Sequence, residues 1–199
     1  MIQPKLINII HKATVIQRWN DHIRPSTGFA EIDKQAHKTF FAYILARCQA
    51  EEDKNFDQNA LIEGIIFEFL HRVILTDIKP PIYYKIIDMM GNRIDSWVEE
   101  QLSSSISCIP GGFAERFHRY FFDAEFCKEE KAIIKYAHYL ATKWEFDIIY
   151  PMNIGFYNIE NTRKEVTDGL AQCTWFEGKK VFSQNPRLTD FLNLIGQLR

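Results

Sequence analysis

The chain lacks any apolar run approaching the roughly 20 residues needed to cross a bilayer, so an α-helical membrane protein is not expected. Its four cysteines, Cys48, Cys108, Cys127 and Cys173, are too widely spaced for a paired-thiol metal motif. Residues 1–5 lack the apolar core of a signal peptide, which predicts a cytoplasmic protein with reduced thiols. An excess of one charge sign is also missing. A formal net charge of −2 argues against binding a nucleic acid polymer by bulk electrostatics, while leaving a single nucleotide open as a ligand. Pro110-Gly111-Gly112 is too short for a phosphate-cradling loop and is not followed by Lys and Ser or Thr. Strand signals are almost absent before residue 174, so the body reads as all-α.

What the chain does contain is an ordinary globular composition. Of its 199 residues 46% are hydrophobic and 25% charged, and sixteen Phe, eight Tyr and four Trp promise a well-filled core. Residues 6–19 read as a first helix with Leu6, Ile9, Ile10, Ala13, Val15 and Ile16 towards its buried side. A loop over 20–29 leads to a second helix over 33–49, with His37, Phe40, Phe41, Ile44, Leu45 and Cys48 as its inward stripe. After a polar connector, residues 62–75 form the central helix, stopped by Thr76-Asp77 and Pro80-Pro81. Its apolar stripe is Ile62, Ile65, Ile66, Phe69, Leu70, Val73 and Ile74. Further helices are expected over 81–101, bent near Gly91, over 113–122 and over 128–148, with a loop over 103–112. Beyond Pro151 the pattern weakens to a helix over 158–172 and a short hairpin turning at Gly178. The organisation is therefore a helical domain over 1–150 and a less regular extension over 151–199. Residues 191–199 (FLNLIGQLR) are similar to residues 6–14 (LINIIHKAT), so they form either a plain C-terminal helix or the start of a second related repeat.

The central helix delivers Glu68, His71 and Arg72, with Asp77 just beyond its end. His37, Glu68 and His138 each fall on or beside the buried face of a different helix. Two imidazoles and one carboxylate form a competent donor set for a divalent transition metal with open positions. Against that stands the plainer reading of core histidines with a hydrogen bond each, and of Glu68 and Arg72 as an i, i+4 surface ion pair. A second constellation is Arg18-Trp19, where a guanidinium can clamp a phosphate and an indole can stack on a base.

Taken in order, Gln17-Arg18-Trp19, Ala36-His37, the stretch 67–81 and Glu129-Glu130-Lys131 through His138 resemble the HD-domain phosphohydrolases. The closest likeness is to their 5′-deoxynucleotidase branch, and it spans about residues 16 to 150. The resemblance implies a helical HD bundle, a divalent metal (Mn, Co, Fe, Ni or Zn), a nucleotide or phosphate-ester ligand and a homodimer. It also implies His37, Glu68 and His138 as metal ligands, Asp77 and Arg72 as catalytic helpers, and Arg18 and Trp19 as the substrate pair. The chain departs from that family at the centre. The His-Asp pair that names it falls on Glu68-Phe69, its later Asp on His138, and its helper Glu on Arg72. Two readings follow: a metal-dependent nucleotidase with an exchanged ligand set, or a catalytically inactive HD-like module that binds a ligand or partner.

Overall fold

The computed structural model describes residues 4–19, 29–52, 56–76, 78, 80–156, 158–173, 175–176, 179–180, 190–191 and 193–194. Among them the chain is an all-α bundle of eight helices. They are α1 (Pro4–Lys12), α2 (Glu31–Glu52), α3 (Gln58–Leu75), α4 (Pro80–Met90), α5 (Arg93–Ile106), α6 (Phe113–Phe122), α7 (Lys128–Ile149) and α8 (Ile159–Cys173). A 3-10 turn, Tyr150–Met152, follows α7. After α8 two short strands, β1 (Trp175–Phe176) and β2 (Lys179–Lys180), pair antiparallel, while Gly178 lies outside the described residues. No described helix is long and apolar enough to cross a membrane.

α3 is the axis of the bundle, packed against α1, α2, α5, α6 and α7. Its first turn is capped by Asp57, whose Oδ1 accepts from the backbone N–H groups of Asn59 (2.9 Å) and Ala60 (3.1 Å). It ends at Leu75, and Thr76 turns the chain with φ of 58°. Because neighbours surround it, α3 is buried around most of its circumference rather than along one stripe. Leu61, Gly64, Phe67, His71 and Leu75 join Ile65, Phe69, Leu70 and Val73 inside, while Ile62 and Ile66 face outward. Phe67 meets the rings of Phe113, Phe117 and Tyr120 at centroid distances of 5.0, 5.5 and 5.5 Å, all edge to face. Gly64 makes room for this contact. A methyl there would fall 2.7 Å from Ile134 Cδ1 and 2.9 Å from Tyr120 Cε2.

Several expected features are redrawn. The first helix stops at Lys12, and Ile10 and Val15 are exposed. Residues 16–18 run extended beside 29–31 instead, with Arg18 N donating to Phe29 O (2.8 Å) and Glu31 N to Ile16 O (2.8 Å). α5 continues through Ser103-Ser104-Ser105, where a loop is expected, because burial of Leu102 and Ile106 on either side outweighs the turn preference of serine. On α7, Ile148 is exposed. The largest change is on α2, whose inner face is Glu31, Lys34, Lys38, Ala42, Leu45 and Ala46, while Phe40 is 71% exposed. Of residues 191–199, only Phe191, Asn193 and Leu194 are described, and Phe191 packs edge-on against Phe41 at 6.0 Å.

Candidate functional site

Polar residues of α2, α3 and α7 meet in one largely buried cluster, flanked by the extended segment 16–19. That segment places Arg18 and Trp19 over α7. There Glu145, a carboxylate with no exposure at all, accepts at Oε2 from Arg18 Nε (2.9 Å) and Trp19 Nε1 (3.0 Å). Arg18 Nη1 also donates to Glu31 Oε2 (3.1 Å), and Arg72 Nε lies 3.9 Å from the same oxygen. Trp19 is held at φ of 62°, in the left-handed region that a bulky residue seldom adopts, with its ring 5.7 Å from Phe146. The bond to Glu145 and the ring contact fix it there.

Two lysines of α2 point into the same region, Lys34 and Lys38, at 6% and 4% exposure. Lys34 Nζ lies 3.1 Å from His138 Nε2. With Lys34 in its ammonium form Nζ donates and Nε2 accepts, which places the ring proton on Nδ1. Burial, then Lys34, Lys38, Arg18 and Arg72, hold His138 well below the usual imidazole pKa, so it is neutral. Lys34 is itself well below the usual lysine range, first through burial and then through Arg18, with Glu31 and Glu145 opposing. For Glu31 burial pushes upward, yet Arg18, Lys34 and Arg72 outweigh it and leave the carboxyl below its usual range.

Lys38 Nζ donates to Glu68 Oε2 (3.3 Å), and Tyr120 OH donates to Glu68 Oε1 (2.8 Å). Burial and the Glu68 charge push the Tyr120 phenol well above its usual pKa, so it remains a donor. Lys131 Nζ sits 4.9 Å over the Tyr120 ring. His37 flanks the region, its ring edge-on to Trp144 at 4.3 Å. Its Nδ1 is 3.8 Å from Glu145 Oε1, and neither buried atom has a hydrogen-bond partner.

The residues singled out from the sequence are thus distributed as follows. Arg18 and Trp19 act together, on Glu145. His37, Glu68 and His138 border one region but face different partners: Glu145, Lys38 with Tyr120, and Lys34. Among the described residues no three His, Cys, Asp or Glu side chains gather so as to hold a metal ion. As arranged, the trio does not make a coordination shell, because two of its three members present their lone pairs to lysine. Glu68 and Arg72 turn to different partners, Glu68 to Lys38 and Arg72 towards Glu31. Asp77 lies outside the described residues. Glu31, Lys34, Lys38, Tyr120 and Glu145 escaped the sequence reading. The spacing of Glu31, Lys34 and Lys38, three and then four residues apart, puts all three on one helix face and was the available signal.

The chain matches no protein-family model, no curated protein and no solved structure.

Proposed function

We propose that this chain is an HD-like helical module that binds a phosphate-bearing small molecule, of the nucleoside monophosphate or phosphate-ester class, at the centre between α2, α3 and α7. One observation carries the reading: four basic side chains, Arg18, Lys34, Lys38 and Arg72, converge on three carboxylates and a neutral His138. A cluster with more basic than acidic side chains favours an incoming anion. A phosphate beside Lys34 would stabilise its ammonium form and reverse the sense of its shift. Arg72, half-buried at the edge of the cluster, is the guanidinium placed to meet the ligand first. Trp19, locked beside Arg18, supplies a wall for a base or sugar. Thermal shift and calorimetry with deoxynucleoside monophosphates, against the parent nucleosides, test this. Stabilisation by the phosphates alone is expected, weakened about tenfold by Arg72→Ala. No stabilisation by any phosphate ester at millimolar concentration sinks the reading.

A second reading keeps the enzyme: a metal-dependent nucleotidase with His37, Glu68 and His138 as ligands and Asp77 and Arg72 as helpers. It is favoured by His37 Nδ1 and Glu145 Oε1, two buried polar atoms without a hydrogen-bond partner. Phosphate release from deoxynucleoside monophosphates with manganese or cobalt, abolished by His37→Ala, would establish it. The homodimer implied by the resemblance and the cytoplasmic placement expected from the sequence belong to both readings, and sedimentation of the purified chain checks the first.

A further inference from the structure

We infer that the amino groups of Lys34 and Lys38, reaching inward from one face of α2, take the place of a divalent ion at this centre by occupying the His138 and Glu68 lone pairs that a metal would need. The inference rests on the ligand-binding reading for what the site receives, and on geometry alone for how it is built. The two lysines are four residues apart, so their side chains project from the same face in adjacent turns. Each reaches a side chain that would otherwise offer an electron pair to a cation: Lys34 the Nε2 of His138 at 3.1 Å, Lys38 the Oε2 of Glu68 at 3.3 Å. The other oxygen of Glu68 is taken by Tyr120 at 2.8 Å. A metal needs those same lone pairs, deprotonated and unshared, at roughly 2.0–2.2 Å. An amino group satisfies them at hydrogen-bond distance and brings the donors along with the chain. Both lysines are almost wholly buried, so they are built into the centre and do not swing in from solvent.

The test uses the full chain. After dialysis against EDTA, wild-type protein is titrated with Co²⁺ and Mn²⁺, and uptake is read by metal content, cobalt absorption and thermal shift. The expected result is no stoichiometric uptake and an unchanged Tm. About one ion per chain, lost in His37→Ala, overturns the inference. In a second arm, Lys38→Met removes one amino group and leaves the Glu68 carboxylate short of a partner. Its Tm should fall, and should recover by roughly 3–6 °C with ethylammonium or Mn²⁺ at about ten times their Kd, but not with NaCl at equal ionic strength. A folded Lys38→Met protein that no small cation rescues counts against the inference. If that variant does not fold under any condition, the wild-type metal measurement alone decides. Failure of every phosphate ligand to bind overturns the ligand reading while leaving the metal result to judge the lysines. Metal uptake by wild type overturns the lysine inference even where phosphate binds.

Discussion

Phe67 and Glu68 are neighbours in sequence on α3 and occupy two different interiors. Phe67 lies among the rings of Phe113, Phe117 and Tyr120, a dry contact held by dispersion and aromatic geometry. Glu68 opens onto the charged centre, where Lys38 and Tyr120 satisfy its two oxygens. The dry side is stable wherever its volume is filled. The charged side is stable only while every member has its partner, since a lone buried charge is far more costly than a lone buried methyl. Tyr120 belongs to both, with its ring against Phe67 and its hydroxyl on Glu68.

The contrast can be broken from either side. Phe67→Ala should cost about 3–5 kcal/mol by leaving a cavity, read as a lower urea midpoint, and should leave phosphate-ester affinity little changed in the protein that remains folded. On the charged side Glu145→Ala should also cost about 3–5 kcal/mol, because Arg18 and the Trp19 N–H lose their shared acceptor. The double substitution Arg18→Met with Glu145→Leu should recover much of that loss. A double variant as unstable as Glu145→Ala would mean that the cost comes from packing and not from the stranded charge. Tyr120→Phe keeps the ring and removes only the hydrogen bond to Glu68, so a loss of about 1–3 kcal/mol is expected. The smallest effect is in pH. His138 is neutral when folded but takes a proton below its ordinary pKa of 6.5 when unfolded, so the unfolded state binds more protons and stability falls as pH drops below that value. Glu31, whose folded pKa is lowered, adds a further loss below its ordinary value of 4.5. Urea midpoints across this range should show the decline, and His138→Gln should flatten its upper part.

Most helices were legible because their hydrophobic spacing and stop signals agree with their burial: α3 ends at the Thr76 turn, α4 and α5 part at Gly91, and α6 and α7 lie where expected. The site was legible only in outline. His37, Glu68, Arg72, His138, Arg18 and Trp19 do border one region, but their partners were not foreseen. Hydropathy treats a lysine as though it were alone, and alone it belongs in water. Beside His138 or Glu68 it belongs inside, which turned the face of α2 so that Lys34 and Lys38 are buried and Phe40 is exposed. Glu145 was missed for the same reason, since its place on α7 depends on Arg18 and Trp19, more than a hundred residues away. Ion pairs between distant segments leave no period in the sequence.

Gly64 stands one turn before Glu68, and a methyl there would meet Ile134 Cδ1 at 2.7 Å and the ring of Tyr120 at 2.9 Å, so a neighbour would have to shift. That ring carries the hydroxyl that fixes one oxygen of Glu68. The clearance at Gly64 therefore acts as a mechanical set-point for an electrostatic quantity. A methyl added on the hydrocarbon side of α3 pushes on a lever whose far end is a proton donor in the charged side, so the two interiors are tuned by a single dimension, the width of one missing side chain.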